Sequence, residues 1–416
     1  MIPNSKHFLY SKTNLALLAI AGMLFGFVAG AQAMLSISMM LLGLTGIWGV
    51  PLKRWQHQHW WLLGLPWILI CALSWFWSEN KTLWVTLLQI KLPFLLLPLA
   101  FSFLPAFSAR QLRIFTLLLF AATFCGMGYS VAAYLKDAGG YLSEYKYARL
   151  IPAPADGDHI RFSMMVALSV CWGCWMWPNL SKKWMRTLLG IALLLSFFYL
   201  HLLAAKTGLL MLYLFFLAFV IYLLTQKKHR LKGLALLLIA VAGVGLAYYL
   251  MPTFRERIGY TVYSIWEFRQ GQRSGDYSDI GRIISYDIWL RLIQDFPMMG
   301  VGMGDILSAM SMGYDRWYPH IPAVQRLIPH NELMAISLGA GVPAALFFVV
   351  WLLQPFTGNQ KGRDAFFFLA AWLMLFAALQ TDAMLEVQYG VFVFLFFLCW
   401  FWHTLVRPSL KSQNPE

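Results

Sequence analysis

Charged side chains are scarce in this sequence: only 12% of the 416 residues are Asp, Glu, Lys or Arg, whereas 60% are hydrophobic. A soluble protein of this length could not bury so much apolar surface, so that class is excluded. The apolar residues form repeated runs of about 18 or more, long enough to cross a bilayer as helices. The sequence therefore predicts an all-α polytopic membrane protein.

Cysteine is also rare, with five residues in the whole chain. All of them lie inside apolar runs, and only Cys171 and Cys174 stand at CxxC spacing. No second pair of Cys or His lies at the spacing of a metal site, so we expect apolar helix residues rather than metal ligands or a disulfide framework. We predict no metal and no cofactor.

About 12 transmembrane spans are predicted within one integral membrane domain, residues 1–416. With the N-terminus in the cytoplasm, every cytoplasmic segment with its flanks carries at least two Lys or Arg, and the short outer turns carry only Lys81 and Lys206. This alternation is the positive-inside pattern and supports the assigned topology. The predicted spans are 14–31, 33–50, 60–78, 83–104, 112–135, 160–179, 184–202, 207–225, 232–250, 331–354, 365–381 and 388–406.

The first apolar segment ends in Ala31, Gln32 and Ala33, which resembles a signal-peptidase site. Its apolar run is longer than that of a usual signal peptide, so we expect residues 1–33 to be retained. Cleavage would leave the rest of the topology unchanged. The loop charges therefore do not decide between retention and cleavage of this segment.

Two outer segments are long: residues 136–159, and a larger, partly helical loop at residues 251–330 between the ninth and tenth spans. The larger loop has eight arginines, eight acidic residues and no lysine, so it is not a polybasic patch for nucleic acid or anionic lipid. Arginine binds phosphate through two parallel hydrogen bonds, whereas lysine acts as a point charge. Solvated ion pairs are the alternative explanation for most of these arginines.

Residues 278–305 of this loop predict a helix followed by a flexible glycine turn. Ser278 or Asp279 can cap the helix, and Pro297 ends it. Arg282 lies in the first turn, where free backbone N–H groups also favour an anion, so it is a candidate phosphate ligand. The predicted apolar face consists of Ile283, Ile284, Ile288, Trp289, Leu292 and Ile293, and the turn contains Gly300, Gly302 and Gly304.

Several ionisable groups lie near the outer ends of predicted spans. Lys206 either extends to the membrane surface or contacts the phosphate of a lipid-linked substrate. Lys91 lies inside the fourth span, where an ionisable group usually faces a cavity or a partner. Arg161 opens the sixth span, and Asp382 and Glu386 lie on one predicted helical face. These last three residues form structural pairs or caps in one interpretation and bind substrate in the other.

His330 is the candidate base, because it stands at the start of a predicted helix in the short sequence PHNE, residues 329–332. A helix N-terminus disfavours the charged imidazolium and so favours the neutral form. A neutral imidazole near neutral pH is what general base catalysis requires. The further candidates for substrate binding are Arg161, Lys91, Asn331 and Asp382.

Three stretches together resemble the O-antigen ligase superfamily: GRIISYDIWLRLIQDFPMMGVGMGD from residue 281, HNELMAISLGAGVPAALFF from residue 330 and TDAMLEVQYGVFVFLFFL from residue 381. That superfamily includes ligases that attach O-antigen to lipid A–core, O-antigen polymerases and O-linked protein oligosaccharyltransferases. The resemblance implies metal-independent, inverting transfer of a glycan from undecaprenyl pyrophosphate at the periplasmic face of the bacterial inner membrane.

The resemblance also implies roles for individual residues. The family's histidine after the large loop corresponds to His330, the implied base on the acceptor hydroxyl. The family's loop arginine corresponds to Arg282, an implied pyrophosphate ligand. The basic residue after the seventh span is often arginine in the family and is Lys206 here, which keeps the charge but loses the two-pronged geometry.

Three acceptors and one other class of protein stay open. We favour lipid A–core, since the large loop lies late in the chain and ends at HNE as in the ligase branch. A polymerase would use a second lipid-linked glycan, and an oligosaccharyltransferase a protein. A secondary transporter would also have many spans, but transporters often show a repeat between their halves, and this sequence has none that stands out. A non-catalytic protein of polysaccharide assembly is also compatible.

Overall fold

A computed structural model describes residues 5–145, 150–270, 278–356 and 361–407, and all the regular structure in these ranges is helical. In chain order the helices are α1 (Ser5–Val28), α2 (Gln32–Ile47), α3 (His59–Leu73), α4 (Lys81–Lys91), α5 (Pro93–Phe103), α6 (Ala109–Lys136), α7 (Ala138–Glu144), α8 (His159–Met176), α9 (Lys183–Leu203), α10 (Lys206–Thr225), α11 (Arg230–Leu250), α12 (Pro252–Arg269), α13 (Ser278–Asp295), α14 (Ile306–Trp317), α15 (Glu332–Ala340), α16 (Val342–Leu353), α17 (Arg363–Leu379) and α18 (Gln388–Val406).

Every predicted span coincides with helix. Within the described ranges, nine helical segments are long and apolar enough to cross a membrane, and α2 and α16 are shorter apolar helices. The chain is therefore a multi-pass membrane protein, and the number of about 12 spans stays a prediction.

Two predicted spans are each divided into a pair of helices. The predicted span 83–104 consists of α4 and α5, and α5 begins at Pro93, whose missing N–H is tolerated in the first turn. The predicted span 331–354 consists of α15 and α16, which meet at Gly341 with φ +88°. A continuous helix cannot include that backbone angle, so the prediction of one uninterrupted span is wrong here.

The last helix, α18, lies at the centre of the bundle, where 94% of its 18-residue apolar window is buried. It contains two π-helical segments, Phe392–Phe396 and Trp402–Val406, and packs through aromatic pairs such as Phe115 with Trp400. In contrast, α11 buries only 11% of its apolar window, which indicates a helix on the outside of the bundle that faces lipid.

The segment 251–330 has a small hydrophobic core of its own between α13 and α14. The predicted helix is confirmed as α13, although Ile283 is 45% exposed and does not belong to the apolar face. The predicted cap at Ser278 or Asp279 falls on side chains outside the described part of the chain. The small core consists of Ile280, Ile284, Ile288, Ile306, Met310, Tyr314, Tyr318, Ile321 and Leu338.

The glycine turn after α13 is fixed rather than flexible. Val301 N–H donates to the Leu338 carbonyl at 2.7 Å, and Gly302 N–H donates to the Gly339 carbonyl at 3.1 Å. Gly302 has φ +104°, a backbone angle that favours glycine. The turn therefore holds the large loop segment against the C-terminal end of α15.

Candidate functional site

His330 lies directly before α15 and faces the turn between α17 and α18. Its Nδ1 atom is 2.9 Å from the Asp382 Oδ1 atom, and the two side chains are 20% and 7% exposed. An ionised carboxylate only accepts hydrogen bonds, so Nδ1 carries the proton in this contact. In the neutral ring, Nε2 then keeps its lone pair and can accept a proton.

Asp382 is held on its other side by Arg161 from α8. The Arg161 Nη2 atom is 2.8 Å from the Asp382 Oδ2 atom, and the arginine side chain is 10% exposed. Asp158 caps α8 by accepting the Arg161 N–H, and its carboxylate also lies 3.5 Å from the Arg161 Nε atom. The sequence therefore places a cation at the start of α8, and the fold brings it to the carboxylate that contacts His330.

The electrostatic balance keeps Asp382 ionised. Burial alone would raise the pKa of its carboxyl group, but the hydrogen bond from His330 and the charge of Arg161 act in the opposite direction. The charges of His330 and Arg282 lower it further, and the net pKa lies below its ordinary value. Asp382 is therefore a carboxylate throughout the pH range in which an imidazole titrates.

Asn331 is the N-cap of α15. Its Oδ1 atom accepts the backbone N–H groups of Leu333 and Met334 at 2.9 and 3.2 Å. Its Nδ2 atom donates to the Gln380 Oε1 atom at 2.9 Å. One side chain therefore caps the start of the helix and connects it to the turn that carries Asp382.

Glu332, the next residue, is completely buried and points to the same turn. Its Oε2 atom accepts the backbone N–H of Leu385 at 2.8 Å. His330, Asn331 and Glu332 thus contact three different points of residues 380–386, which we call the 380–386 turn. This arrangement explains why three polar residues precede an apolar helix.

The 380–386 turn also corrects one prediction. Asp382 and Glu386 do not lie on one face of an α-helix, because the only helical part of the turn is the short 3₁₀ segment Met384–Glu386. Asp382 contacts His330, whereas Glu386 pairs with Lys91. Gln380 contacts Asn331 and Asp382 contacts His330, both from the residues that precede α15.

Arg282 is the fifth residue of α13, one residue past the first turn where it was predicted, and is half-buried. Its charge acts to lower the pKa of both Asp382 and Tyr286, so the guanidinium lies near the carboxylate that contacts His330. Tyr286, one turn further along α13, donates its hydroxyl to the His330 carbonyl at 2.8 Å. Tyr286 is not among the residues predicted from the sequence, although its spacing of four residues from Arg282 places both on one helix face.

Lys206 begins α10 and points towards α12. Its Nζ atom lies 5.7 Å from the ring centroid of Tyr260, and the Arg257 guanidinium lies 5.2 Å from the same centroid. The neighbouring Thr207 hydroxyl is 3.2 Å from that of Thr381, the residue before Asp382. Lys206 therefore precedes a residue that contacts the 380–386 turn, and its own charge is directed to the large loop segment.

Lys91 is buried behind the 380–386 turn. Its Nζ atom pairs with the Glu386 carboxylate at 2.8 Å and donates to the Leu385 carbonyl at 3.3 Å. The side chain is 1% exposed, so it does not reach the membrane surface. Of the predicted site residues, Lys91 and Lys206 stand apart from the His330, Asp382 and Arg161 group.

The described residues contain no group of three or more His, Cys, Asp and Glu side chains arranged to hold a metal ion. The five cysteines are free, and Cys125 is exposed on α6, whereas Cys71, Cys171 and Cys399 are buried. The polar contacts of the site are thus hydrogen bonds and ion pairs between side chains and backbone.

Residues 191–349 match the family model described as O-antigen ligase. A comparison with the curated proteins finds no match. The matched region extends from α9 into α16 and contains Lys206, Arg282 and His330, whereas Lys91, Arg161 and Asp382 lie outside it. The predicted resemblance is confirmed, and it supports a membrane glycosyltransferase of the ligase and polymerase superfamily.

Proposed function

Because residues 191–349 are similar to the O-antigen ligase family, we propose that the protein transfers a glycan from undecaprenyl pyrophosphate to a hydroxyl group of lipid A–core. The reaction takes place at the periplasmic face of the bacterial inner membrane. The observation that supports this function most strongly is the contact of His330 with Asp382, which is further paired with Arg161. This arrangement is suited to a histidine that accepts a proton during group transfer.

His330 acts as the general base in this proposal. Its Nε2 atom takes the proton of the acceptor hydroxyl while the hydroxyl oxygen attacks the anomeric carbon of the donor sugar. The bond between that carbon and the phosphate oxygen breaks, and its electron pair leaves with undecaprenyl pyrophosphate. Direct displacement of this kind inverts the anomeric centre. Because pyrophosphate is a good leaving group, the reaction needs no nucleotide and no metal.

The cations at the site stabilise the leaving group. Arg282 provides the planar group that binds phosphate oxygens in pairs, and Lys206 contributes a point charge from the start of α10. Negative charge on the pyrophosphate increases as the bond breaks, so fixed positive groups lower the energy of the transition state more than that of the bound donor. Both residues lie within the region matched by the family model.

Asp382, Arg161 and Asn331 have orienting roles rather than substrate contacts in this account. Asp382 fixes the tautomer of His330 and the plane of its ring, as carboxylates do for histidines in other group-transfer sites. Arg161 holds Asp382, and Asn331 connects α15 to the 380–386 turn. This proposal takes the structural interpretation of Arg161 and Asp382, and direct substrate binding by these residues and Asn331 stays a prediction from the sequence.

The acceptor distinguishes the branches of the superfamily. We expect the purified protein to transfer a labelled glycan from its undecaprenyl pyrophosphate carrier to lipid A–core in the presence of excess EDTA. Gel mobility identifies the product. A ladder of longer lipid-linked glycans would instead indicate a polymerase, and labelled protein would indicate an oligosaccharyltransferase. Absence of transfer to all three acceptors, with the donor intact, would contradict the proposed function.

A further inference from the structure

The backbone N–H and C=O groups of Leu385 are both held by buried ionisable side chains. Glu332 from α15 accepts its N–H at 2.8 Å, and Lys91 from α4 donates to its carbonyl at 3.3 Å. Lys91 also pairs with the adjacent Glu386 carboxylate at 2.8 Å. Glu332 is 0% exposed and Lys91 is 1% exposed. Two helices far apart in the sequence therefore hold the two peptide units that flank the Cα atom of Leu385, three residues after Asp382.

Burying these ionisable groups has a larger desolvation cost than burying neutral groups would have. A buried ion loses its hydration, and the loss is offset only when hydrogen bonds and an opposite charge compensate for it. Lys91 has Glu386 as such a partner, but the Oε1 atom of Glu332 has no hydrogen-bond partner among the described residues. An apolar side chain of the same size would fill the position of Glu332 with less desolvation, so packing alone does not explain a carboxyl group there.

The backbone beside Leu385 is also closely packed. A Cβ atom at Gly390, in the first turn of α18, would lie 1.7 Å from the carbonyl oxygen of Met384. The backbone of Met384 therefore lies directly against that of Gly390. A small shift of the 380–386 turn would also move Asp382. A displacement of about 1 Å in a catalytic arrangement can reduce the rate by about 100-fold.

We propose that Lys91 and Glu332 are positioning residues that hold the backbone of Leu385 and so keep the Asp382 carboxylate in contact with His330. This role rests on the proposed function. It adds the residues that position Asp382, the carboxylate that orients His330. Neither side chain touches the substrate in this account. Lys91, predicted from the sequence as an unusual ion within a span, thus acts through the 380–386 turn.

The test compares Glu332→Met with Glu332→Gln in the purified protein. Methionine has a similar volume and removes the acceptor of the Leu385 N–H, whereas glutamine keeps one acceptor oxygen without the charge. We expect Glu332→Met to fold with a melting temperature about 3 °C lower, because the buried Leu385 N–H loses its acceptor, and to have a kcat about 10- to 100-fold lower, with KM for donor and acceptor unchanged. We expect Glu332→Gln to retain most of the wild-type kcat.

A second substitution separates positioning from a general structural effect. In protein that already carries Asp382→Asn, we expect Glu332→Met to lower kcat by less than two-fold, because two residues that act through one contact are not additive. If Glu332→Met does not fold, Glu332→Asp serves instead, since its shorter side chain keeps the charge but withdraws the acceptor from Leu385. We expect a lower kcat with unchanged KM for that variant as well.

Three results would overturn the positioning role. The first is a wild-type kcat in Glu332→Met or Glu332→Asp, and the second is a change in KM alone. The third is a double variant with Asp382→Asn whose loss of kcat equals the product of the two single losses. Each is read only against wild-type protein that makes product. If the wild type transfers no glycan to any acceptor, the proposed function fails, and the positioning role built on it is withdrawn together with that function.

Discussion

Three consecutive side chains, His330, Asn331 and Glu332, contact one short turn at three different points. The histidine contacts a carboxylate, the amide contacts Gln380, and the buried carboxyl group accepts a backbone N–H. The sequence shows that these residues are polar and precede an apolar helix. It does not show their partners, because Asp382 and Leu385 lie about 50 residues further along the chain and only the fold brings them close.

At the residue scale, Asp382 gives a prediction about stability and pH. Its pKa in the folded protein lies below the ordinary carboxyl value of about 4. The stability that it contributes is therefore complete above that ordinary value and is lost as the pH falls through the folded value. We expect Asp382→Asn to cost about 3 kcal/mol at pH 7, as when one partner of a buried pair is removed. The difference from wild type should shrink below about pH 4.

Thermal unfolding in detergent at several pH values measures this difference. Asp287→Asn is the matched control, because Asp287 pairs with the exposed Arg291 and such pairs contribute little, and asparagine can still accept the hydrogen bond that Asp287 receives from the Tyr318 hydroxyl. A difference between wild type and Asp382→Asn that stays constant or increases on acidification would mean that the Asp382 carboxylate is not stabilised by its neighbours.

At the scale of single elements, the sequence predicts α13 well because Pro297 ends it and its isoleucines recur at helical spacing. Ile283 and Ile284 are adjacent and therefore point in directions about 100° apart, so only one of them can lie at the centre of the buried face. The division between α15 and α16 is not predicted, because Gly341 also fits a continuous helix. Its φ of +88° follows from contacts with the large loop segment, including the 2.8 Å hydrogen bond from Val342 N–H to the Pro297 carbonyl.

The N-terminus of α15 gives the second prediction. We expect Asn331→Ala to lower the melting temperature by about 2 °C, since it removes an N-cap that contributes about 1 kcal/mol and the contact with Gln380. Asn331→Asp keeps the cap, and Gln380 can turn its amide group to donate to the new carboxylate. The melting temperature of that variant should therefore stay within about 1 °C of wild type.

The two substitutions together isolate the cap. Melting in the same detergent, followed by tryptophan fluorescence, compares them directly. Equal losses in Asn331→Ala and Asn331→Asp would show that the amide contact with Gln380, and not the cap, stabilises this end of the helix. No loss in either would show that α15 is held by packing alone.

At the scale of the whole molecule, composition is enough to predict a helical membrane protein, and the apolar runs locate the helices. The site is a different kind of feature, because it is assembled from α4, α8, α13, α15 and the 380–386 turn. The contact between Lys91 and Glu386 alone joins positions 295 residues apart, and the polar side chains of these elements meet because the apolar helices pack around α18. Residues such as Arg161 and Asp382 are visible as ions near span ends, but their pairing depends on that packing.

The most direct test of the account compares transfer by wild type, His330→Ala and His320→Ala with the same lipid-linked donor and lipid A–core. His320 is the matched control, because it is an exposed histidine of the same loop segment. We predict that His330→Ala, with folding equal to wild type, transfers at least about 100-fold more slowly, as expected when a general base is lost. His320→Ala should transfer at the wild-type rate. Full activity of His330→Ala would contradict the central claim that this histidine is the base.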